Sequence, residues 1–394
     1  MKICILTPRF PFPEYGGDVL RINSIARYLK SKGHYLVLVS FVDSTDGLNA
    51  NAEARILYDA IYTVKRYKLI SIFFSALFFL VRKPIQCGYY YSPFFSLKFR
   101  KVIRNENPDI YLSHLLRMVP YIENFNLVNQ TIVEMTDALS KTYSLVAKSN
   151  GKGVKKLIYK LEKSLIQKYE THVVNKFSKV VLVSQSDIDY LQPNIINKTK
   201  SLHLFSNGVD CMDTLPNTYD NKKITFIGNM RTFQNQDAVF YFTKNIFPLI
   251  LKEIPDAVFY IIGAQPSSKV LSLASSNVKI LGFVEDINLA ISDSCITVAP
   301  VRVAAGIQNK VLVAMGCGVP VVLSSLISKA IPELQNSVNC FVSDADIDFA
   351  EKCIKIMKNR DLRENLRKNA FKMVRENYSW ERKLDGYIND TENI

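Results

Sequence analysis

Residues 2–41 read KICILTPRFPFPEYGGDVLRINSIARYLKSKGHYLVLVSF. KICILTP is an apolar run with the character of a strand, and RFPFPEYGG is a loop that ends in two glycines. From Asp18 onward Val19, Ile22, Ile25, Ala26 and Leu29 recur at helical spacing and share one face, and Gly33 stops the pattern. YLVLVSF is a second strand. Strand, glycine loop, helix and strand make a βαβ unit, which commits this part of the chain to a parallel sheet.

The pattern continues outward from this unit. DIYLS (109–113), QTIVEM (130–135) and KVVLVS (179–184) are further strands separated by helix-like stretches. SNGVDCMDTLPNTYDNKK (206–223) is rich in Asn, Asp, Gly and Pro and reads as a linker. Beyond it the alternation restarts with KITFIGN (223–229), a helix over 237–254, and the strands AVFYIIG (257–263), VKILGF (278–283), CITVAPV (295–301) and VPVVL (319–323). A chain of 394 residues is too long for one ordinary core. The expected class is α/β, with two facing Rossmann-like domains, parallel sheets and an interdomain cleft. The expected boundaries are 1–206 for the first domain, 207–221 for the linker and 222–375 for the second domain. The tail 376–394 is expected to be a helix that packs on its own domain or crosses back to the first. Open parallel sheets bind ligands beyond the carboxyl ends of their strands, and interdomain clefts are preferred sites.

The net charge of +14 is one-sided: residues 1–200 hold 29 Lys and Arg against 15 Asp and Glu, whereas 201–394 hold 21 of each. The first half is therefore expected to meet something anionic. The sequence has no zinc-finger, helix-turn-helix or RNA-binding aromatic pattern, which argues against nucleic acid. An anionic membrane surface fits better. KRYKLISIFFSALFFLVRKP (65–84) holds thirteen mostly apolar residues, Leu69 to Val81, between basic flanks. That is too short to span a bilayer, which takes about 20. It is either a core helix or a helix lying in the interface, with Lys65, Arg66, Lys68, Arg82 and Lys83 on lipid headgroups. The opening apolar pentad is too short for a signal peptide. The seven cysteines are scattered, without a C-x-x-C pair or a histidine at metal spacing. A reducing compartment, no disulfide framework and no metal site follow. The expected location is the cytoplasm, peripheral at the inner face of the membrane.

Four places could carry chemistry. Gly16 and Gly17 lie between a strand and a helix, where the backbone approaches a ligand and the helix N-terminus offers free N–H groups. They are neither a dinucleotide fingerprint nor a P-loop, and a simple turn explains them equally. In VRVAAGIQNKVLVAMGCGVPVVLS (301–324) Gly306 precedes a helix that starts near Ile307, with Gln308, Asn309 and Lys310 in its first turn. A cation there opposes the helix dipole and costs stability unless an anion binds, although solvation of Lys310 is the plainer reading. His114 ends the strand DIYLSH, as either a structural or a ligand-facing histidine. Asp137 follows the next strand, as either an N-cap or an acceptor contact.

With these residues in place, the chain resembles the glycosyltransferases of family 4, which have the GT-B fold. PEYGGDVLRI, PDIYLSH, SNGVD, FIGNM, KILGFVEDI, VAPVR, GIQNKVLVAMGCGVPVV and the late YSW occur in the family's order over nearly the whole length. The resemblance implies a retaining, metal-independent hexosyltransferase-like enzyme that needs no cofactor. Its donor would be a nucleoside diphosphate sugar, a UDP-sugar first, held mainly by the second domain. Its acceptor would be a saccharide, lipid-linked or polymeric, in capsule, O-antigen or exopolysaccharide synthesis. Carried over, Gly16 and Gly17 would lie against the donor phosphates or sugar, and His114 would contact the sugar. Phe283 and Val284 would hold the base, and Gly306, Ile307, Gln308, Asn309 and Lys310 would wrap the diphosphate. The leaving diphosphate would take the acceptor's proton, so no dedicated base is required.

Two departures stand out. The family's basic pair after the first strand of the second domain is missing, since Gly228 is followed by Asn229 and the lysine place falls near Gln234 and Asn235. Arg231, Arg302 and Lys310 are then the available cations. The family's two glutamates, eight positions apart, fall on Ala305 and Val313, and valine cannot accept hydrogen bonds from a ribose. A non-catalytic partner subunit of the same fold, or a nucleotide-sugar epimerase, is the alternative.

Overall fold

The computed structural model describes residues 1–14, 16–43, 52–148, 154–195, 201–302 and 308–388. It divides into two compact units: Met1–Asn207 together with the last described stretch, 384–388, and Gly208–Lys383.

The first unit is built on a seven-stranded sheet. Its strands are β1 (Lys2–Thr7), β2 (Tyr35–Val42), β3 (Ala60–Lys65), β4 (Ile110–His114), β5 (Thr131–Thr136), β6 (Lys179–Leu182) and β7 (Leu202–Leu204). They lie in the order β3-β2-β1-β4-β5-β6-β7 and every pair is parallel. The opening βαβ unit is β1, the helix Gly17–Ser31 and β2. That helix buries Val19, Ile22, Ile25, Ala26 and Leu29, the face its spacing defines. β1, β2, β4 and β5 are buried along nearly their whole length because helices cover both faces, which is why they read as unbroken apolar runs.

The second unit repeats the design with six strands: β8 (Asp220–Ile227), β9 (Val258–Ile262), β10 (Val278–Gly282), β11 (Ser294–Ala299), β12 (Val321–Leu323) and β13 (Phe341–Val342). Their order is β10-β9-β8-β11-β12-β13, again all parallel. Both sheets reverse their winding direction beside the first strand, between β1 and β4 and between β8 and β11. In an open α/β sheet the ligand crevice lies outside the carboxyl ends at that reversal. The expectation of two parallel-sheet Rossmann-like units is met.

Of the expected tail helix 376–394, the described part holds the end of the helix Arg360–Asn377, a single turn, Trp380–Lys383, and turns in which Gly386 adopts φ 75°, while 389–394 lie outside the described residues. The thirteen-residue run forms the helix Lys68–Leu80, but not the core helix of the first reading: only Ser71 and Phe78 are buried. Among the described residues no helix is long and apolar enough to cross a membrane.

Candidate active site

In the second unit three glycines close the carboxyl ends of adjacent strands. Gly228 follows β8, Gly263 follows β9 and Gly282 ends β10. The Gly228 N–H donates to the Ile262 carbonyl at 2.9 Å and the Gly263 N–H to the Gly282 carbonyl at 2.7 Å. Gly263 has φ 153°, and a Cβ there would stand 1.8 Å from the Gly228 carbonyl oxygen. Only glycine permits this approach.

The loop after β8 is shaped by side chains from the helix Phe233–Tyr241. Asn229 turns back to accept the Arg231 N–H at 3.0 Å. Asn235 donates to the Asn229 carbonyl at 2.9 Å, and Gln236 donates to that of Met230 at 2.7 Å. Asn235 also accepts from the Lys310 ammonium. Asn229 and Arg231 are exposed at the loop's surface.

Lys310 lies in the first turn of the helix Asn309–Gly316, over the Phe226 ring at 4.8 Å. Among the described residues no carboxylate lies within 4.0 Å of it. Burial pushes its pKa down to about 8. The helix dipole opposes the same charge. Among the described residues Lys310 is therefore a half-buried cation at a helix N-terminus whose polar partner is the Asn235 amide, not a carboxylate. Gln308 is the N-cap residue. Val311, Leu312, Ala314 and Met315 fill the core, while Val313 is only half-buried, one turn beyond the exposed Asn309 on the same face. Gly306, Ile307 and Ala305 lie outside the described residues.

Arg302 follows β11, and its charge is already taken. It holds Asp237 in a two-pronged pair, Nε–Oδ2 3.0 Å and Nη2–Oδ1 2.5 Å, and stacks 4.3 Å over Tyr241. Beside it a cavity of about 310 Å³ opens beyond the ends of β11, β12 and β13, lined by Tyr241, Val301, Arg302, Ser324, Ser343 and Phe349 among others. Phe283, after β10, keeps 56% of its surface exposed, while Val284 packs on the core.

In the first unit the matching loops follow β1 and β4. Gly16, at φ 107°, starts the helix Gly17–Ser31 without a side-chain cap, and a Cβ on it would meet Arg9 Nη2 at 2.9 Å. A Cβ on Gly17 would meet nothing within 4 Å. The loop is tied down by side chains of its helix. Buried Asn23 donates to the Pro11 carbonyl at 2.7 Å and to Glu14 at 2.9 Å, Arg27 pairs with Glu14, and Asp18 pairs with Arg9.

His114 ends β4, fully enclosed. Burial first, with Arg21, Arg117 and Arg9 adding to it against Asp18, pushes its pKa down to about 3, so the imidazole is neutral. Its Nδ1 has no hydrogen-bond partner among the described residues. The backbone beside it is strained: Leu115 has φ 67°, and on the neighbouring strand Thr136 has φ 68°. Thr136 is the centre of a tight turn in which the Asp137 N–H donates to the Met135 carbonyl at 2.9 Å. Asp137 is exposed; its pKa is raised, by the desolvation of its surroundings and then by Asp187.

A buried network supports these strand ends. Arg21 grips Glu134 through Nε–Oε1 at 2.9 Å and Nη2–Oε2 at 3.0 Å, with both side chains fully enclosed. Arg21 also donates to Asn207 at 2.9 Å and to the Phe205 carbonyl at 2.8 Å, and Tyr387 donates to Glu134 at 2.8 Å. Glu134 is paired in register with His114 across β4 and β5. Sequence reading passed over Arg21, Asn23, Glu134 and Asp237. One signal was available: an acid inside a strand buried on both faces must have a partner.

Residues 221–359 match the family model for group 1 glycosyl transferases. An uncharacterized 44.6 kDa protein from the cps region of Klebsiella pneumoniae is 23% identical over 393 residues, 96% of each chain. Among solved structures, Anabaena HepE in complex with UDP aligns over the full length of both chains with TM-score 0.62 at 13% identity. WaaG, a glycosyltransferase involved in lipopolysaccharide biosynthesis, aligns over 98% of this chain and 99% of its own with TM-score 0.59 at 12% identity. These likenesses give the chain the GT-B fold, and with the group 1 match inside the second unit they support a glycosyltransferase.

Proposed function

We propose that this protein is a retaining, metal-independent glycosyltransferase that moves a sugar from a nucleoside diphosphate sugar to a lipid-linked or polymeric saccharide in surface-polysaccharide synthesis. The observation that carries the donor assignment is Lys310, a half-buried cation without a carboxylate partner among the described residues, at a helix N-terminus within the stretch that matches the group 1 model. A diphosphate supplies the missing charge, and the free N–H groups of the first turn add to its hold. The exposed Phe283 offers a face to the base. HepE, similar in fold, binds UDP and UDP-glucose, which supports a UDP-sugar as donor. In the first unit the neutral His114 offers a ring nitrogen to a sugar hydroxyl, and the Gly16–Gly17 turn lets ligand come close to backbone. The exposed Asp137, after β5, is assigned to the acceptor. The leaving diphosphate takes the acceptor's proton while the protein positions groups and stabilises charge.

Val313 favours a second reading, a GT-B partner subunit without catalysis, because a valine cannot hold ribose hydroxyls. Mass spectrometry of products from a panel of nucleotide sugars, with a lipid-diphosphate sugar as acceptor, separates the two. A glycosylated acceptor is expected. An unmodified acceptor with every donor leaves the partner-subunit reading.

A lipid-linked acceptor would be met at a membrane surface, and the helix Lys68–Leu80 supports that reading. Leu69, Ile72, Phe73, Leu77 and Leu80 recur at helical spacing with 83, 61, 64, 40 and 76% of their surface exposed. Inserting the exposed part of this stripe into a bilayer is worth roughly 5–10 kcal/mol, at about 1.5–3 kcal/mol for each large side chain fully buried scaled by its exposure. The opposite face is held by the protein: Phe74 and Phe78 pack on Tyr91 at ring distances of 5.0 and 5.4 Å.

A further inference from the structure

A hollow of about 350 Å³ lies in the first unit between the end of β3 and the helix Pro93–Glu106. Lys65, Lys98 and Lys101 line it, with Tyr67, Phe94 and Leu97. Among the described residues none of the three lysines has a carboxylate within 4.0 Å. Lys98 and Lys101 are three apart on one helix, so their like charges repel. Tyr67, Phe94 and Leu97 are 48, 52 and 55% exposed, and the two rings stand 6.0 Å apart. Tyr67 is also the residue that leads into the helix Lys68–Leu80 with its exposed apolar stripe. Uncompensated cations, exposed aromatic residues and an adjoining apolar stripe together have the polarity of a phospholipid, with its phosphate, glycerol region and acyl chains.

We propose that this hollow seats the phosphate headgroup of an anionic phospholipid in the bilayer on which the helix Lys68–Leu80 lies. The inference rests on the membrane-surface reading given above. A free sugar phosphate would use the lysines but would leave the aromatic residues and the stripe bare. The bilayer lipid uses all of them.

The test uses the full chain and sedimentation with two kinds of vesicle, phosphatidylcholine alone and equimolar phosphatidylcholine and phosphatidylglycerol. Wild-type protein is expected to pellet preferentially with the phosphatidylglycerol vesicles. Leu69→Asp/Phe73→Asp, on exposed positions, is expected to lose binding to both. If it pellets like the wild type, the membrane-surface reading fails and the headgroup site with it. Lys98→Gln/Lys101→Gln is compared with Lys68→Gln/Lys83→Gln, which removes the same charge at the ends of the helix. Lysines near an anionic surface each contribute, so the flanking pair is expected to lower the preference for phosphatidylglycerol up to about thirtyfold, and a seated headgroup predicts that the hollow pair lowers it at least about threefold further. Equal losses from the two pairs overturn the headgroup site and leave surface attachment standing.

Discussion

Lys310→Met gives two effects of opposite sign, each calculable from the structure. Burial lowers the Lys310 pKa from 10.5 to about 8. For a lysine depressed on folding, the unfolded chain holds the extra proton between those values. Stability is therefore lost as pH falls through that window, and the full penalty applies below about 8. At 1.36 kcal/mol per unit the penalty is at most about 3 kcal/mol. Methionine keeps most of the packing over Phe226 but leaves the Asn235 oxygen without its donor, a loss of about 1 kcal/mol. The variant should therefore be more stable than the wild type by about 2 kcal/mol at pH 7, and the gain should vanish near about pH 10 and become a loss above it. Trp380, the only tryptophan, lies in the second unit and reports on its unfolding in urea. UDP binding should move the other way: losing a charged contact costs about 1.5–3 kcal/mol, or roughly ten- to a hundredfold in affinity. Wild-type affinity should also fall above pH 8 as the ammonium deprotonates, and the variant should lose that pH dependence. Calorimetry at pH 7 and 9 reads both. A variant less stable than the wild type at pH 7, or one with unchanged UDP affinity, refutes the reasoning.

Gly263→Ala forces a methyl group into the Gly228 carbonyl, 1.8 Å from the Cβ position, and should cost the second unit more than about 4 kcal/mol; a urea midpoint by Trp380 fluorescence close to the wild type would contradict this. Val313→Glu, at a half-buried position on the face of Asn309, should raise UDP affinity about tenfold or more by giving the ribose hydroxyls an acceptor; unchanged affinity in calorimetry would show that another group already reads the ribose. Arg21→Met leaves the Glu134 carboxylate buried and uncompensated, so the first unit should lose about 3–5 kcal/mol, while Arg21→Met/Glu134→Leu should recover most of it. Equal loss in the single and double variants, measured by circular dichroism in urea, would rule out the buried charge as the cause.

How far the sequence discloses this protein depends on where each element sits. β1, β2, β4 and β5 are interior strands, so their apolar runs are unbroken and readable. The strands that went unread, β3, β7 and β13, are all at sheet edges, where a strand is short and partly exposed and its pattern blurs into loop. Gly16 and Gly228 were legible as glycines between strand and helix, and Lys310 was legible as a cation where the helix dipole disfavours one. Pairings across long separations were not. Nothing in the one-dimensional pattern says that Asp237 takes the charge of Arg302, 65 positions away, or that Asn235 takes the ammonium of Lys310, 75 positions away. The helix Lys68–Leu80 is a different case, because its composition suits a core and an interface equally. Only the exposure of Leu69, Ile72, Phe73 and Leu80 separates them.

The central claim is that the second unit holds a nucleoside diphosphate at the Lys310 helix. Isothermal titration of the full chain with UDP, GDP and CMP tests it most directly, with Lys310→Met beside the wild type. The account predicts saturable binding of a nucleoside diphosphate, UDP before GDP, weakened at least about tenfold in the variant. Absence of binding by all three at millimolar concentration, or equal binding by wild type and variant, would contradict it.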